Sequence, residues 1–228
     1  MATNYGDVLL IDGLLIDLDG TLYRSTSYFN ALTVEMYKTA ARLLNVDIRV
    51  AEELLNDRRK KLGSMTLSVE SLGLDRKKFY RNVARNIQPA NYIRPDRNRS
   101  ATLACLRKKN LKLALVSNGG RPLVRKVLKA LNISLSSFDV VVTSDEAKPK
   151  PAPDSYRMAL RLLSTIPPRA VYVGDRPRTE LKQAKNLGLR TVLVSSSHRT
   201  SEWADYIIPN FTNLPKLIES INWLKATS

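Results

Sequence analysis

The chain has 228 residues, of which 43% are hydrophobic and 25% charged, so a wholly disordered or collagen-like protein is excluded and one substantial core, with or without a smaller insert, is expected. The 37 Lys and Arg residues exceed the 21 Asp and Glu residues and give a net charge of +16, which favours anionic partners without naming one. Because Cys105 is the only cysteine and His198 the only histidine, an intrachain disulfide is impossible and a zinc site would lack its usual ligands.

Six short segments rich in Val, Ile and Leu predict β-strands. In chain order these are Leu9–Leu18, Leu111–Val116, Val140–Val142, Val171–Val173, Thr191–Val194 and, with the weakest pattern, Tyr206–Ile208. Helical patterns alternate with them at Pro122–Leu131, Pro153–Leu163, Thr179–Leu187 and Asn213–Leu224. Near-continuous apolar strands that alternate with helices are typical of a parallel sheet covered on both faces. We therefore predict an α/β fold with a Rossmann-like, three-layer core.

The segment 23–95 interrupts this alternation, because it contains helical patterns and no convincing strand. Its four predicted helices are the apolar stripe from Phe29 to Leu44, a segment from Val50 to near Gly63, the short segment Met65–Leu72, and a segment that Asp75 would cap. We therefore predict that residues 1–22 and 96–228 form the α/β core. Residues 23–95 are expected to form an inserted, all-helical domain.

Two carboxylates follow the first predicted strand. Asp17 and Asp19 are two residues apart and would point the same way if the strand geometry continued, and a Gly20-Thr21 turn comes next. Like charges so close together are unfavourable, and a bound cation removes that penalty. Oxygen ligands without sulfur or imidazole indicate Mg²⁺. The alternative is an ordinary polar turn after a strand.

Polar side chains also follow the next three predicted strands. They are Ser117 and Asn118 after the second strand, Lys148 and Lys150 after the third, and Asp175 after the fourth, with Glu180 on the helix that follows. The carboxyl ends of parallel strands lie at one edge of a sheet, which is where open α/β sheets bind their ligands. Carboxylates, a hydroxyl and an ammonium at this edge could hold Mg²⁺ and a phosphoryl group.

With these motifs the sequence resembles the haloacid dehalogenase-like (HAD) hydrolase superfamily, most of whose members are Mg²⁺-dependent phosphatases. The four family motifs are matched in order by Asp17-Leu18-Asp19-Gly20-Thr21, by Ser117, by Lys150 in Lys-Pro-Ala-Pro-Asp, and by Gly174-Asp175. The helical insert lies where this family places a small α-helical cap. Two positions depart from a simple match. The family usually has Asp where this chain has Glu180. The longer side chain of Glu180 favours a position behind the metal ligands over direct contact with the metal. Lys148-Pro149 is a second Lys-Pro pair, so Lys148 is the alternative to Lys150.

The resemblance implies a phosphatase mechanism. Asp17 would attack phosphorus and form an aspartyl-phosphate, and Asp19 would act first as the acid and then as the base. Mg²⁺ would be held by Asp17, the Asp19 carbonyl and Asp175. Ser117 and Lys150 would bind the phosphoryl oxygens, and Lys150 would also position Asp17. Thr21 and Asn118 complete the expected phosphate site.

Three other functions are weighed against this one. A haloacid dehalogenase is disfavoured, because a halide leaving group needs no proton and Asp19 would have no role. A phosphomutase or phosphotransferase would use the same core, with a sugar hydroxyl as the acceptor in place of water. A nucleic-acid-binding protein on a hydrolase fold would account for the charge of +16 and for the basic runs 58–61 and 76–78. Acidic residues interleave with these runs, which makes a solvated helix face the more ordinary explanation.

The expected partner is a small phosphorylated metabolite and not nucleic acid. No targeting segment is recognised, and no run of about 18 apolar residues could span a bilayer. We therefore expect a cytoplasmic protein without membrane contact. His198 lies in a polar stretch typical of a loop, and we do not expect it to be catalytic.

Overall fold

The computed structural model describes residues 10–197 and 200–226, with side chains up to residue 222. Its six strands form one parallel sheet in the order β3-β2-β1-β4-β5-β6. The strands are β1 (Gly13–Ile16), β2 (Lys112–Val116), β3 (Val140–Val142), β4 (Ala170–Gly174), β5 (Arg190–Val194) and β6 (Tyr206–Ile208). All six predicted strands are present, and the predicted α/β, Rossmann-like fold is confirmed.

Strand β1 is shorter than the predicted Leu9–Leu18. Its four residues are all buried, as expected of a central strand in a sheet covered on both faces. The strand ends before Asp17, where the chain leaves the sheet and forms a turn. Leu9, at the start of the predicted strand, lies outside the described residues, as does His198.

The register of the sheet brings three strand ends to one level. Ile16 of β1 pairs with Leu115 of β2 on one side and with Val173 of β4 on the other. The residues that follow these strands therefore leave the sheet at the same edge. The direction of strand addition also reverses beside β1, and such a switch point is where open α/β sheets leave a crevice for a ligand.

Four helices lie between β1 and β2 in the chain. They are α1 (Thr26–Leu44), α2 (Ile48–Leu62), α3 (Met65–Ser71) and α4 (Arg76–Asn86), and each contains a predicted helical segment. Asp75 caps α4 as predicted, because its side chain accepts a hydrogen bond from the Lys78 backbone N–H. Gly63 ends α2 with a φ of 68°, a left-handed conformation that glycine adopts without strain.

Helices cover both faces of the sheet. Leu14 and Ile16 pack into one hydrophobic cluster, whereas Leu15 between them packs into the other. The helices on the first side include α5 (Arg97–Lys108), α6 (Arg121–Ala130) and α9 (Leu214–Ala226), and those on the second are α7 (Asp154–Leu163) and α8 (Lys182–Asn186). Helix α5 was not predicted, because it buries only a narrow apolar stripe beside many basic residues. None of the helices in the described part of the chain is long and apolar enough to cross a membrane.

Candidate active site

Asp17 is buried where β1 ends. Its backbone N–H still donates to the carbonyl of Val173 at 3.0 Å, which ties the residue to β4. Its carboxylate accepts two hydrogen bonds, one on each oxygen. The ammonium of Lys150 lies 2.5 Å from Oδ1, and the hydroxyl of Thr21 donates to Oδ2 at 3.1 Å. Thr21 is thus next to the predicted nucleophile, and its hydroxyl is directed at that carboxylate.

The turn after β1 brings Asp19 back to the same site. The backbone N–H groups of Leu22 and Tyr23 donate to the Leu18 carbonyl, which closes the turn. The Tyr23 hydroxyl donates a short hydrogen bond to Oδ1 of Asp19, and this bond fixes the orientation of that carboxyl group. The φ of Gly20 is +94°, which favours glycine at this position.

Lys150, and not Lys148, reaches the end of β1. The Lys150 side chain is fully buried, and its ammonium contacts Asp17, Glu180 at 3.0 Å and the Tyr172 hydroxyl at 2.9 Å. Lys148 is exposed at the surface. The structure therefore separates the two lysines that a bare Lys-Pro pattern left equivalent.

Asn118 holds the backbone of Lys150. Its side-chain amide donates to the Lys150 carbonyl at 2.8 Å, and its side-chain oxygen accepts from the Lys150 N–H at 2.7 Å. These two bonds occupy the side chain that was expected in the phosphate site. Ser117 is buried at the end of β2, and its hydroxyl oxygen accepts from the Gly119 N–H at 3.1 Å, which leaves the hydroxyl proton free to donate.

Asp175 follows β4 and lies against the turn that contains Gly20. A Cβ atom on Gly20 would lie 2.1 Å from Oδ2 of Asp175, so only glycine allows this close approach. Arg24 and Arg176 approach the carboxylate at 3.7 Å and 3.9 Å. In the described part of the chain, Oδ1 of Asp175 is buried and has no hydrogen-bond partner. A buried carboxylate oxygen without a partner is costly unless a ligand satisfies it.

Glu180 lies behind Lys150. The chain after β4 forms a wide helical turn, Pro177–Leu181, before α8 begins, and this turn directs Glu180 towards the interior. Oε2 of Glu180 accepts hydrogen bonds from Lys150 and, at 2.6 Å, from the Tyr172 hydroxyl. Tyr172 was not predicted as a site residue, although a hydroxyl-bearing residue inside an aliphatic strand was a signal for it.

The carboxyl groups of the site differ in the direction of their pKa shifts. Burial raises the pKa of Asp17 to about 7 even though Lys150 opposes the shift, and repulsion from Asp175 and Asp19 adds to it. Burial also raises the pKa of Asp19 and of Asp175. Burial acts in the same direction on Glu180, but the charge of Lys150 and a nearby arginine outweigh it and hold that pKa below its ordinary value. A cation among these carboxylates would favour their ionised forms.

A cavity of about 260 Å³ opens above Asp19 and Asp175. Helix α1, the segment between α2 and α3, and the loop after β2 form its walls. The lining comprises Phe29, Leu32, Thr33, Met36, Arg59, Ser64, Met65, Thr66, Tyr80, Asn118, Gly119, Leu123 and Arg176 in addition to the two carboxylates. The volume lies just below the range typical of ligand pockets, roughly 300–1,000 Å³. The site therefore admits a small molecule between the helical insert and the sheet edge.

Comparison with known proteins agrees with this geometry. A glyceraldehyde 3-phosphate phosphatase of Methanocaldococcus jannaschii is 28% identical, over 93% of this chain and 99% of that protein. A phosphoglycolate phosphatase of Aquifex aeolicus is also 28% identical, over 91% and 96%. The crystal structure of a HAD phosphatase from Thermococcus onnurineus has a TM-score of 0.68 at 26% identity and covers 91% of this chain and 98% of that one. The model of the haloacid dehalogenase-like hydrolase family matches residues 14–194, and the chain therefore belongs to that family.

Proposed function

We propose that the protein is a Mg²⁺-dependent phosphatase that hydrolyses a small phosphomonoester through an aspartyl-phosphate on Asp17. The observation that carries this proposal is the buried Asp17 carboxylate, with Lys150 on one oxygen, at the sheet edge of a HAD-like hydrolase. The two similar proteins named above are phosphatases of small phosphorylated compounds, which supports the same class of reaction here.

In the first step, an oxygen of Asp17 attacks phosphorus and the bond from phosphorus to the ester oxygen breaks. Asp19 gives its proton to that oxygen, which leaves as an alcohol. Water then attacks phosphorus, and the bond from phosphorus to Asp17 breaks. Asp19 takes the proton that water loses, and inorganic phosphate is released. Burial raises the pKa of Asp19, which keeps a proton available for the first step.

The residues present fit a Mg²⁺ ion. Asp17 and Asp175 supply two carboxylates, and the Asp19 backbone supplies a carbonyl. Oδ1 of Asp175 is buried and accepts no hydrogen bond from the described residues, which leaves it available as a ligand atom. The described residues include no group of three or more His, Cys, Asp or Glu side chains that could hold a metal. Mg²⁺ commonly binds through one or two carboxylates and keeps waters and substrate oxygens as its other ligands. When bound, it would neutralise charge on the transferring phosphoryl oxygens.

The other site residues bind and orient. Ser117 donates to the phosphoryl oxygens. Lys150 holds Asp17 in place, and it donates to a phosphoryl oxygen when one of its three present contacts, with Asp17, Glu180 and Tyr172, is released. Asn118 fixes the Lys150 backbone through its side chain and stays available to phosphate through its own N–H. Thr21 donates to Asp17, and Glu180 acts through Lys150. This assignment moves Asn118 from direct phosphate contact by its amide to a positioning role.

We also propose that residues 23–95 form a cap over the active site and that residues 1–22 and 96–228 form the core. The Thr66 hydroxyl donates to the Asn118 carbonyl at 2.8 Å and accepts a 2.5 Å hydrogen bond from Tyr80. Gly120 allows the loop after β2 to approach Tyr80 of α4, because a Cβ atom at position 120 would lie 2.5 Å from the Cβ of Tyr80. These contacts dock the helices on the loop that follows Ser117.

The test is phosphate release from p-nitrophenyl phosphate by the purified protein. We expect hydrolysis with Mg²⁺, loss of it with EDTA, and recovery when Mg²⁺ is restored. Acid quenching during turnover, followed by peptide mass spectrometry, should find phosphate on Asp17. A folded protein that hydrolyses no phosphomonoester with Mg²⁺, or that becomes phosphorylated at another residue, would contradict the proposal.

A further inference from the structure

We propose that the substrate is a small phosphomonoester whose alcohol carries a second negatively charged group, and that Arg59 of α2 selects it. This inference rests on the proposed function, because it names the class of ester that the same site takes. It is carried by the position of Arg59 in the cavity, by the absence of a nearby counterion, and by the character of the surrounding wall.

Arg59 lines the cavity from the end of α2. The carbonyl of Arg59 accepts the N–H of Gly63, which closes the helix at 2.9 Å. A Cβ atom on Gly63 would lie 3.4 Å from Cγ2 of Thr179, so this end of α2 packs against the turn after β4. That turn follows Asp175 and Arg176. Arg59, whose side chain is exposed, lines the same cavity as Asp175, the predicted metal-binding carboxylate.

The exposed Arg59 side chain forms no ion pair with the described part of the chain. The ion pair within α2 joins Lys60 to Asp57, and no carboxylate among the described residues lies within 4.0 Å of the Arg59 guanidinium. Arg176, the other cation that lines the cavity, already has Asp175 at 3.9 Å. The two carboxylates of the cavity, Asp19 and Asp175, have assigned roles in proton transfer and metal binding. Among the described residues that line the cavity, Arg59 is thus the cation that remains available to a ligand.

The wall near Arg59 is mostly apolar. Phe29, Leu32 and Met36 of α1 line the cavity together with Met65 and Leu123. Such a wall suits the carbon skeleton of an alcohol, whereas the exposed side chain of Arg59 suits a charged group on that alcohol. The planar guanidinium binds carboxylate or phosphate through two parallel hydrogen bonds. The second group is therefore a carboxylate or a phosphate at the far end of the alcohol from the ester.

The test compares matched esters. In the first pair, 3-phosphoglycerate has a carboxylate where glycerol 3-phosphate has a neutral hydroxymethyl group. In the second pair, 4-carboxyphenyl phosphate has a carboxylate where 4-carbamoylphenyl phosphate has a neutral amide. For at least one pair we expect the wild-type protein to favour the charged ester in kcat/KM by about tenfold or more, because a hydrogen bond to a charged group is stronger than one between neutral groups. The preference should lie mainly in KM, because binding to Arg59 is the same before and during the reaction.

Variants assign the preference to one residue. Arg59→Gln should bring the ratio of kcat/KM values within a pair close to one, and Arg59→Lys should retain part of the preference. Arg58→Gln is the matched control, because successive helical residues point about 100° apart and Arg58 does not line the cavity. The control should keep the wild-type ratio. The ratio cancels any general change in the reaction that a variant causes.

The possible failures are distinguishable. A protein that hydrolyses p-nitrophenyl phosphate but favours neither charged ester would overturn the inference and leave the proposed function standing. The same holds if Arg59→Gln keeps the full preference. A folded protein that hydrolyses none of these esters with Mg²⁺ would contradict the proposed function, and the inference would fall with it.

Discussion

The ammonium of Lys150 lies 2.5 Å from a carboxylate oxygen of Asp17, although 133 residues separate them in the chain. The same ammonium lies 3.0 Å from Glu180, so one buried cation joins two buried carboxylates. Buried charges persist only when they are paired and hydrogen-bonded. The position of the Asp17 carboxylate, the proposed nucleophile, and the stability of the fold at the end of β1 therefore both depend on Lys150.

Replacing Lys150 should remove both activity and stability. In Lys150→Met two buried carboxylates lose their common partner, and breaking a buried ion pair typically costs about 3–5 kcal/mol. We expect a lower urea midpoint by circular dichroism and no phosphate release. Lys148→Met is the matched control, because Lys148 is exposed and should change stability by less than about 0.5 kcal/mol. Equal losses in the two variants would contradict the assignment of Lys150.

Glu180 should act on Lys150 and not on the metal. Glu180→Gln keeps the size of the side chain but removes the charge that faces Lys150, so we expect kcat to fall by roughly tenfold or more. The Mg²⁺ concentration for half-maximal activity should stay nearly constant. Asp175→Asn serves as the comparison, because it should raise that concentration strongly. A large increase in the Mg²⁺ requirement of Glu180→Gln would instead identify Glu180 as a metal ligand.

The need for Asp19 should depend on the leaving group. A proton from Asp19 is required when an alkoxide leaves and matters much less when p-nitrophenolate leaves. Asp19→Asn should therefore lose far more of its kcat/KM for alkyl phosphates than for p-nitrophenyl phosphate. General acid catalysis contributes typically about 10²–10⁴-fold. Similar losses for both kinds of ester would argue against Asp19 as the acid.

Magnesium should stabilise the fold in the absence of substrate. Binding to the native state alone adds about 2.7 kcal/mol when the ion is present at 100 times its dissociation constant. We expect differential scanning fluorimetry to record a higher Tm with Mg²⁺ than with EDTA. Asp175→Asn should lose most of this shift, because it replaces a carboxylate that we propose as a ligand of the ion, and whose Oδ1 accepts no hydrogen bond from the described residues. An undiminished shift in this variant would place the ion elsewhere.

Asp17→Asn should abolish turnover and leave the fold intact. Burial raises the pKa of Asp17 to about 7 in the folded protein, whereas the unfolded value is about 3.9. Between these pH values the folded state holds a proton that the unfolded state has lost, so the contribution of Asp17 to stability falls as pH rises from about 4 to about 7. Asparagine carries no such penalty.

The Tm of Asp17→Asn minus that of the wild type should therefore increase between pH 5 and pH 8 in EDTA. The difference between the two proteins cancels groups that titrate alike in both. A difference that stays constant or decreases with pH would show that the Asp17 pKa is not raised. Substantial turnover by this variant would remove Asp17 from the role of nucleophile.

The sequence alone determined the strands and most helices, because apolar periodicity and capping residues act over a few neighbouring positions. It also identified Asp17, Asp19, Ser117 and Asp175 as strand-end residues, since parallel strands must end at a common edge. The basic helix α5 was missed, because packing against α9 and neighbouring turns, and not a local pattern, stabilises it.

Only the tertiary structure decided which groups meet. Lys148 and Lys150 have similar local sequence, and the path of the chain after β3 buries one and exposes the other. The partners of Glu180, and the cavity that Arg59 and α1 share, depend on packing between segments far apart in the chain. Such contacts are fixed by burial and charge pairing across the whole fold, which periodicity along the chain does not encode.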